Sequence, residues 1–427
     1  MSDLFKNFET TDEKQWKNQV QVELKGADFT QTLCWDTAEG FQVKPLYTKA
    51  DAGENNFVVN ENNWKIISGF MPDSSISYGS VDGVYLKSAQ KDDFQPTQNE
   101  LLFLSYNNEY PNVEAINDNT FVIWDFLGDL TIFGNYPEKS LKDAIQKLNE
   151  LAKSNYKNSL SIDISRYQNA GANHAEQLAL MLLVGQEYVE LSKDKNILDK
   201  TLVKTALGNN FFFEIAKMRA LRLLWANLAK ANQVESDLKI MAESSLRNKT
   251  VLDKYNNIIR STYEAAAGIL GSADYVMVHP YDELFLEQSN LALELGFKQQ
   301  FILREESFLH HYIDPLKGAY YVESLTHQLA VQAWDIFKRL EAHGGFIQGL
   351  KKELIQKMIS QSAKNEQNKF DKNEISLIGV NKFPKVDDDF VKFDLQEKFS
   401  NTGKTLFKTI AQKRLAEQAE MTYDKEK

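Results

Sequence analysis

One stretch of the sequence, residues 237–285, most constrains what this chain can fold into. It begins with a short apolar run, Leu238 to Ala242, which is typical of a buried strand. A polar loop follows, and apolar residues then recur at helical spacing from Asn256 to Leu270, where Gly271 ends the pattern. A second apolar run, Tyr275 to Val278, completes a strand, helix and strand, which predicts a right-handed parallel crossover. The long first loop lies where α/β barrels carry their chemistry.

The same alternation extends over most of the chain. Apolar runs predict seven strands: Val84–Leu86, Leu102–Ser105, Phe121–Asp125, Leu160–Ile164, Phe211–Phe213, Leu238–Ala242 and Tyr275–Val278. Helical periodicity predicts helices between and after them, at residues 140–153, 173–192, 214–231, 256–270 and 325–343. Strands that alternate with helices in this way favour a closed parallel barrel over an open sheet. The predicted fold is therefore a TIM-type (β/α)8 barrel.

An arm precedes this barrel and does not repeat its α/β pattern. Phe5 to Leu24 predicts one amphipathic helix, and the segments on either side of Gly40 alternate like a small hairpin. Such an arm cannot bury its aromatic side chains alone. It must therefore lie on its own barrel or on another chain.

The end of the sequence is less regular. Lys364–Asn373 predicts a loop, Ile375–Val380 one more strand and Thr405–Met421 a last amphipathic helix. We therefore divide the chain into three parts. These are an extended N-terminal arm for subunit contact (1–60), the barrel (61–390) and a C-terminal helix or linker (391–427).

Charge and cysteine content limit the classes of function. The chain has 49 basic and 60 acidic residues and a net charge of -11, which argues against broad nucleic-acid binding. A single cysteine, Cys34, rules out an internal disulfide framework and fits a reducing cytoplasm. No run approaches about 18 apolar residues, so no membrane span is predicted. The expectation is a cytoplasmic protein that binds neither nucleic acid nor a membrane.

Several motifs resemble those of methylmalonyl-CoA mutases. Phe213–Trp225 and Tyr255–Thr262 resemble two helices of that family's barrel, and Asp314-Pro315 with Gly318–Thr326 resembles a third motif. Pro45–Thr48 resembles a segment of the family's arm. The similarity is greater to the small, β-type subunit than to the catalytic one. In catalytic members, the resemblance implies, the barrel holds a CoA ester while adenosylcobalamin supplies the radical that drives a rearrangement.

This chain departs from the catalytic members where the resemblance implies their active site. Met241 and Met277 stand where two strand-end histidines would be, and a thioether cannot donate a hydrogen bond to a thioester oxygen. The family's tyrosine- and arginine-bearing segment has no counterpart between Phe70 and Val84. The Asp-x-His-x-x-Gly motif of the cobalamin-binding domain does not occur. The expectation is a chain without that domain, in a complex that contains adenosylcobalamin bound by another chain.

Six residues are candidates for the barrel mouth: Asp163, Met241, Glu243, Met277, His279 and Asp282. Five of them, all but Glu243, also have a structural interpretation. Met241 and Met277 suit apolar packing inside the barrel. Asp163 as a mouth acid competes with a hydrogen-bonding role, and His279 and Asp282 as ligand contacts compete with helix caps or loop anchors. No residue is predicted to be catalytic, and no metal site is predicted.

The leading interpretation is the small subunit of a heterodimeric methylmalonyl-CoA mutase, which interconverts methylmalonyl-CoA and succinyl-CoA. This chain alone would be inactive, and it would bind and stabilise the catalytic large subunit, with the CoA ester bound in the complex. The alternative is an active barrel of a split acyl-CoA mutase that uses a separate cobalamin-binding chain. A third interpretation is an unrelated barrel enzyme, such as a hydrolase.

Overall fold

A closed barrel of parallel strands forms the centre of the molecule. The computed structural model describes residues 12–51, 63–71, 78–87, 90, 100–112, 117–137, 140–154, 156, 158–285, 288–385 and 404–426. The arm holds two short strands, β1 (Trp35–Asp36) and β2 (Gln42–Val43). The barrel strands in these segments are β3 Lys65–Gly69, β4 Gly83–Lys87, β5 Leu101–Ser105, β6 Thr120–Ile123, β7 Leu160–Asp163, β8 Thr201–Leu207, β9 Lys239–Ser244 and β10 Tyr275–Met277.

Most strands of the barrel pair with the strand that follows them in sequence. From β3 to β6 and from β7 to β10 each strand pairs in parallel with the next, and β10 pairs in parallel with β3. Backbone bonds join β6 to β7, from Val122 N to Asn158 O at 3.0 Å and from Ser161 N to Trp124 O at 3.3 Å. The predicted TIM-type (β/α)8 barrel is therefore confirmed. The carboxyl ends of all its strands lie at one face, which we call the mouth.

Helices surround the barrel and also form the start of the arm. In the described segments they are α1 Glu13–Glu23, α2 Phe29–Leu33, α3 Phe126–Phe133, α4 Leu141–Lys153, α5 Ser165–Asn169, α6 His174–Ser192, α7 Phe211–Ala231, α8 Asn256–Leu270, α9 Asn290–Phe301, α10 Tyr320–Ala342, α11 Gly345–Lys351, α12 Leu354–Asp371 and α13 Glu417–Glu426. All five predicted helices are present as α4, α6, α7, α8 and α10. In this part of the chain no helix has the length and apolar character needed to cross a membrane.

Two barrel strands differ from the prediction. Phe211–Phe213 is not a strand but the first turn of α7, because the helical periodicity of the following residues overrides the β propensity of three aromatic residues. The strand in this region, β8, lies at Thr201–Leu207, where Lys204 interrupts the apolar pattern. The five-residue strand β3 was not predicted either.

The predictions for the chain's last third were wrong in three places. Most of Lys364–Asn373 belongs to α12 and not to a loop, because its polar residues form the exposed face of that helix. Ile375–Val380 forms no strand, since only an isolated bridge joins Ile378 to Lys382. The Asn381 side chain instead satisfies this loop's backbone, accepting from Leu377 N at 2.7 Å and donating to Ile375 O at 2.8 Å.

Residues 404–416 are extended and not helical, although Thr405–Met421 was predicted to be one helix. Their backbone groups pair with the mouth instead, from Phe407 N to Gly134 O and from Leu415 N to Arg247 O, both at 3.0 Å. Gly134 has φ +71°, and a Cβ there would lie 2.7 Å from Phe407 O. This close approach therefore requires a glycine.

The arm hairpin, residues 35–43, lies on its own barrel. Trp35 pairs with Val43 in the predicted hairpin, and the Phe213 ring lies 5.7 Å from Trp35 and 5.9 Å from Phe41. Before it, α1 begins after the Asp12 N-cap and covers part of the predicted Phe5–Leu24 helix, whose first residues lie outside the described segments. Neither α1 nor α2 buries a residue.

Candidate functional site

Apolar side chains fill the interior of the barrel. Their buried cluster, the inner core, consists of Ile67, Phe103, Phe121, Ile123, Leu202, Met241, Tyr275 and Met277. Phe103 stacks on Phe121 with ring centroids 4.5 Å apart, and Tyr275 meets both rings edge to face. The candidate residues Met241 and Met277 thus pack inside the barrel. This interior is a packed core, as is usual for barrels of this type.

Four charged side chains lie above the inner core, and we call them the mouth cluster: Asp163, Lys204, Glu243 and His279. Asp163 and Glu243 lie at the ends of β7 and β9, Lys204 lies in the middle of β8, and His279 lies two residues after β10. Lys204 Nζ lies 2.7 Å from Glu243 Oε1 and 3.4 Å from Asp163 Oδ2. His279 Nε2 lies 3.4 Å from Glu243 Oε2. Because residues two apart on a strand share a face, Lys204 follows Leu202 and Glu243 follows Met241 up the barrel wall.

The charged side chains of the mouth cluster shift one another's pKa values. Burial alone would lower the pKa of Lys204, but Asp163 and Glu243 raise it above its ordinary value. Burial alone would raise the pKa of Glu243, but the charge of Lys204 and the bond to His279 lower it to about 2. Burial disfavours the charged form of His279, but Glu243 raises its pKa. The ammonium of Lys204 is therefore paired with the carboxylates of Asp163 and Glu243, and Glu243 favours the protonated form of His279.

Such a cluster is poorly suited to acid–base or nucleophilic chemistry. A lysine that acts as a base or nucleophile needs a lowered pKa, and the pKa of Lys204 is raised. A glutamic acid that donates a proton near neutral pH needs a raised pKa, and that of Glu243 is lowered. The geometry is that of a buried ion network, in which each charge keeps another charge paired.

Further polar groups fix Asp163 in the mouth cluster. Arg166 lies 3.6 Å from Asp163 Oδ2 and 2.9 Å from Asp129 Oδ1. The Asp163 backbone N–H donates to Asp125 Oδ2 at 2.9 Å, and the Tyr188 hydroxyl donates to Asp125 Oδ1 at 2.6 Å. Burial raises the pKa of Asp129 to about 6 although Arg166 opposes this shift. The network thus extends from the barrel mouth into the layer beneath α3, α5 and α6.

The structure brings together three of the six candidates, Asp163, Glu243 and His279. Asp282 takes the loop-anchor role instead, because its Oδ2 accepts from Ser289 N at 2.8 Å and from Ser289 Oγ at 2.9 Å, before α9. Sequence reasoning missed Lys204, which joins Asp163 to Glu243. One signal was present, since a lone lysine interrupts an otherwise uncharged run of β-forming residues, and lysine is seldom buried without a partner.

Other parts of the chain cover the long loop after β9. Residues 245–252 are almost all buried. Arg247 Nε donates to Glu366 of α12 at 2.7 Å, and its NH1 donates to Lys413 O at 2.6 Å. The loop that the sequence placed for catalysis is therefore held between α12 and the extended segment 404–416.

The histidines do not form a metal site. His279 and His174 each contact carboxylates, with His174 Nδ1 at 2.7 Å from Glu39 Oε1. His310 and His343 each direct Nδ1 at a backbone carbonyl oxygen, at 2.5 and 2.7 Å. In the described segments no three His, Cys, Asp or Glu side chains are grouped to hold a metal ion.

A shallow groove of about 480 Å³ lies between the arm and the start of α10. Its walls are residues 43–47 and 319–321. Tyr47 and Tyr321 meet there with ring centroids 5.1 Å apart, and the Lys44 ammonium is paired with Asp51 at 2.5 Å. Two segments that resemble mutase motifs in the sequence thus meet in one place.

Comparison with known proteins places these features in one family. A family model described as methylmalonyl-CoA mutase matches residues 122–425. A methylmalonyl-CoA mutase of Rhizobium meliloti (strain 1021) is 33% identical over 272 residues, which cover 61% of this chain and 38% of the relative.

Two relatives come from one organism, Porphyromonas gingivalis. Its methylmalonyl-CoA mutase small subunit is 26% identical over 439 residues, covering 89% of this chain and 71% of that protein. Its methylmalonyl-CoA mutase large subunit is 32% identical over 279 residues, covering 62% of this chain and 39% of that protein. The chain thus matches less than half the length of the Rhizobium mutase and of this large subunit.

Proposed function

This chain belongs to the methylmalonyl-CoA mutase family, and we propose that it is the small subunit of a heterodimeric methylmalonyl-CoA mutase. Its own barrel is catalytically inactive in this proposal. Its role is to bind and stabilise a cobalamin-bearing large subunit, which interconverts methylmalonyl-CoA and succinyl-CoA. The similarity to a small subunit along 89% of the chain supports this role, as does the related large subunit in the same organism.

The filled barrel interior is the observation that carries the proposal. A CoA ester inside the barrel would have to displace the stacked rings of Phe103 and Phe121 and separate Lys204 from Glu243. Removing a large aromatic side chain from a core costs about 3–5 kcal/mol, and breaking a buried ion pair costs about 3–5 kcal/mol. Costs of this size favour a barrel that stays closed to substrate.

Two partly buried histidines, His279 at the mouth and His174 beside the arm hairpin, contact carboxylates and are not arranged as cobalt ligands. A cobalt ligand needs an imidazole nitrogen with a free lone pair. His279 contacts Glu243 instead. Burial lowers the pKa of His174, but Glu214 and Glu39 outweigh this effect and raise the pKa to about 9, so His174 is protonated at neutral pH. In this proposal the cofactor is therefore bound by the partner chain.

The N-terminal arm is the part that we assign to subunit contact. Helices α1 and α2 have 11 and 5 residues and bury none of them. They contact each other through Trp16 and Phe29, whose rings meet edge to face at 5.9 Å, while Val22 is 72% exposed. Isolated helices shorter than roughly 12–15 residues are marginal in water. Contact with a second chain would supply the burial that these helices lack.

Activity measurements on separate and mixed chains test the proposal. With adenosylcobalamin and methylmalonyl-CoA, this chain alone is expected to show no turnover, because its interior has no room for the substrate. The mixture with the large subunit encoded in the same genome is expected to be active, and the two chains should co-purify. Turnover by this chain alone would overturn the inactive barrel, and failure to co-purify would overturn the subunit role. Turnover after addition of a stand-alone cobalamin-binding protein would instead support the split mutase.

Deletion of residues 1–33 tests the contact role of the arm. Binding of the large subunit is expected to weaken at least about 30-fold, the effect of losing one hot-spot residue of about 2 kcal/mol. The thermal midpoint of the isolated chain should not change, because α1 and α2 bury no residue in it. Titration calorimetry and thermal unfolding measure the two quantities. An unchanged Kd would contradict this role for α1 and α2.

A further inference from the structure

His174 lies at the junction of the arm hairpin with α6 and α7, outside the mouth cluster. It is the first residue of α6. Its Nδ1 lies 2.7 Å from Glu39 Oε1 of the arm hairpin, and its Nε2 lies 3.2 Å from Glu214 Oε1 of α7. Because both ring nitrogens face carboxylates, the imidazolium form can donate to both at once.

Two further hydrogen bonds join the hairpin to the start of α6. His174 N donates to Glu39 Oε1 at 3.3 Å, and Asn173 Nδ2 donates to Ala38 O at 3.1 Å. The His174 ring also lies 5.5 Å from the Phe213 ring, which packs against the hairpin's aromatic residues. Polar and aromatic contacts thus converge on one side chain.

Charges from three elements face His174 or its partners. Glu39 comes from the hairpin, Glu214 and Lys217 from α7, and Glu176 from α6. Lys217 Nζ lies 2.6 Å from Glu214 Oε2, so Glu214 is shared between two cations. Burial raises the pKa of Glu176 to about 7, and its carboxylate accepts from Ser362 Oγ at 2.7 Å. Without a proton on His174, Glu39 would be a buried carboxylate with no cation beside it among the residues that the structure describes.

We propose that His174, as an imidazolium, is a positioning residue that holds the arm hairpin on the barrel and so sets the direction in which α1 and α2 project toward a partner chain. Only Cys34 separates α2 from β1, so the position of the hairpin determines that of α2. Holding the hairpin is a property of this chain alone. The effect on a partner rests on the proposed small-subunit function.

The pH dependence of the contact between His174 and the hairpin follows from the pKa values of His174 and Glu39. Burial lowers the pKa of His174, but Glu214 and Glu39 raise it from 6.5 to about 9. Its contribution is therefore complete below pH 6.5 and is lost as the pH rises through about 9. Burial raises the pKa of Glu39, but His174 lowers it below 4.5, so this contribution is present above pH 4.5 and is lost in acid. The hairpin should be held most firmly between pH 4.5 and 6.5.

Hydrogen–deuterium exchange tests the proposal on the full chain. Protection factors of the hairpin amides, corrected for intrinsic exchange at each pH, should fall at least about tenfold between pH 7 and 10, since one pKa unit corresponds to tenfold. In H174Q they should be reduced at pH 7 and should not depend on alkaline pH. H343Q is the matched control, because the His343 side chain is exposed and contacts only its own helix through Arg339 O. It should behave as the native chain does.

A second variant covers the case in which H174Q disturbs the barrel. E39Q removes the same charge pair from the arm side and leaves the contact between His174 and Glu214 in place. Loss of hairpin protection in E39Q, with native protection of the barrel strands, supports the proposal. Native hairpin protection in both variants would overturn it.

Binding of the large subunit separates this proposal from the subunit role. If the variants release the hairpin and their Kd for the large subunit rises at least about tenfold, the result supports both the holding role of His174 and its effect on the partner. Release with an unchanged Kd would overturn that effect and leave the subunit role intact. If the native chain does not bind the large subunit, the subunit role fails, and exchange still decides whether His174 holds the hairpin.

Discussion

Replacing Lys204 with alanine is expected to lower the free energy of unfolding by about 3–5 kcal/mol. The ammonium lies 2.7 Å from Glu243 and 3.4 Å from Asp163 in a buried site. Without it, the two carboxylates lose the cation that they share, and among the described residues Glu243 keeps His279 and Asp163 keeps Arg166 beside it. Most of the expected loss comes from the weaker pairing of these buried carboxylates, not from the packing of the lysine stem.

A matched lysine on the surface is the control for K204A. Lys298 lies 2.5 Å from Glu294, but its side chain is 54% exposed, so K298A should change stability by at most about 0.5 kcal/mol. Denaturant unfolding measures both variants. Equal losses in K204A and K298A would contradict a buried ion network at the mouth.

The loss of unfolding free energy in K204A should also depend on pH in the acid range. In the native chain the pKa of Glu243 is lowered from 4.5 to about 2, so its contribution is present above pH 4.5 and is lost as the pH falls through about 2. The variant lacks most of this contribution. The difference in unfolding free energy between the two chains should therefore narrow from pH 5 to pH 2, and a constant difference would argue against this origin.

Replacing Phe103 with alanine is expected to cost about 3–5 kcal/mol as well, because it leaves a cavity in the inner core. Its ring is fully buried, stacks on Phe121 at 4.5 Å and meets Tyr275 at 5.0 Å. Because the neighbouring rings belong to strands of a closed barrel, they have little freedom to collapse into the space.

The control for F103A makes the same change on the surface. Phe383 is 73% exposed, and F383A should stay within about 0.5 kcal/mol of the native chain. The midpoint and slope of urea unfolding report both variants. A loss in F103A as small as that in F383A would mean that the barrel interior is loosely packed, and the main support for an inactive barrel would be lost.

Most of the barrel is predictable from local sequence pattern. The crossover in residues 237–285 appears as β9, α8 and β10, because buried parallel strands are nearly continuous apolar runs and the helix between them has one apolar face. The prediction fails at β8, where Lys204 breaks the apolar run, although this charge is paired inside the fold. It also fails at residues 404–416, whose backbone pairs with distant mouth loops.

The candidate site was predicted in part. Met241 and Met277 lie in the inner core, which is the packing role that the sequence favoured for them. The positions of Asp163 and Glu243 at strand ends were also correct. The lone lysine in β8 indicated a buried, paired charge but not that it joins Asp163 to Glu243, whereas the loop-anchor alternative for Asp282 is the one found.

The sequence by itself determined the family and the barrel, and it predicts that Met241 and Met277 stand where catalytic members carry histidines. These properties depend on residue identity and short-range periodicity, which the chain carries in any conformation. Only the tertiary structure decided what fills the barrel mouth and where the arm hairpin lies. Lys204 is 41 residues from Asp163 and 39 from Glu243, and His174 is 135 residues from Glu39. Ion pairs over such distances exist only because barrel closure and arm docking remove these charges from water together. The loop in residues 237–285 is therefore closed, although its position after a strand alone suggested an active site.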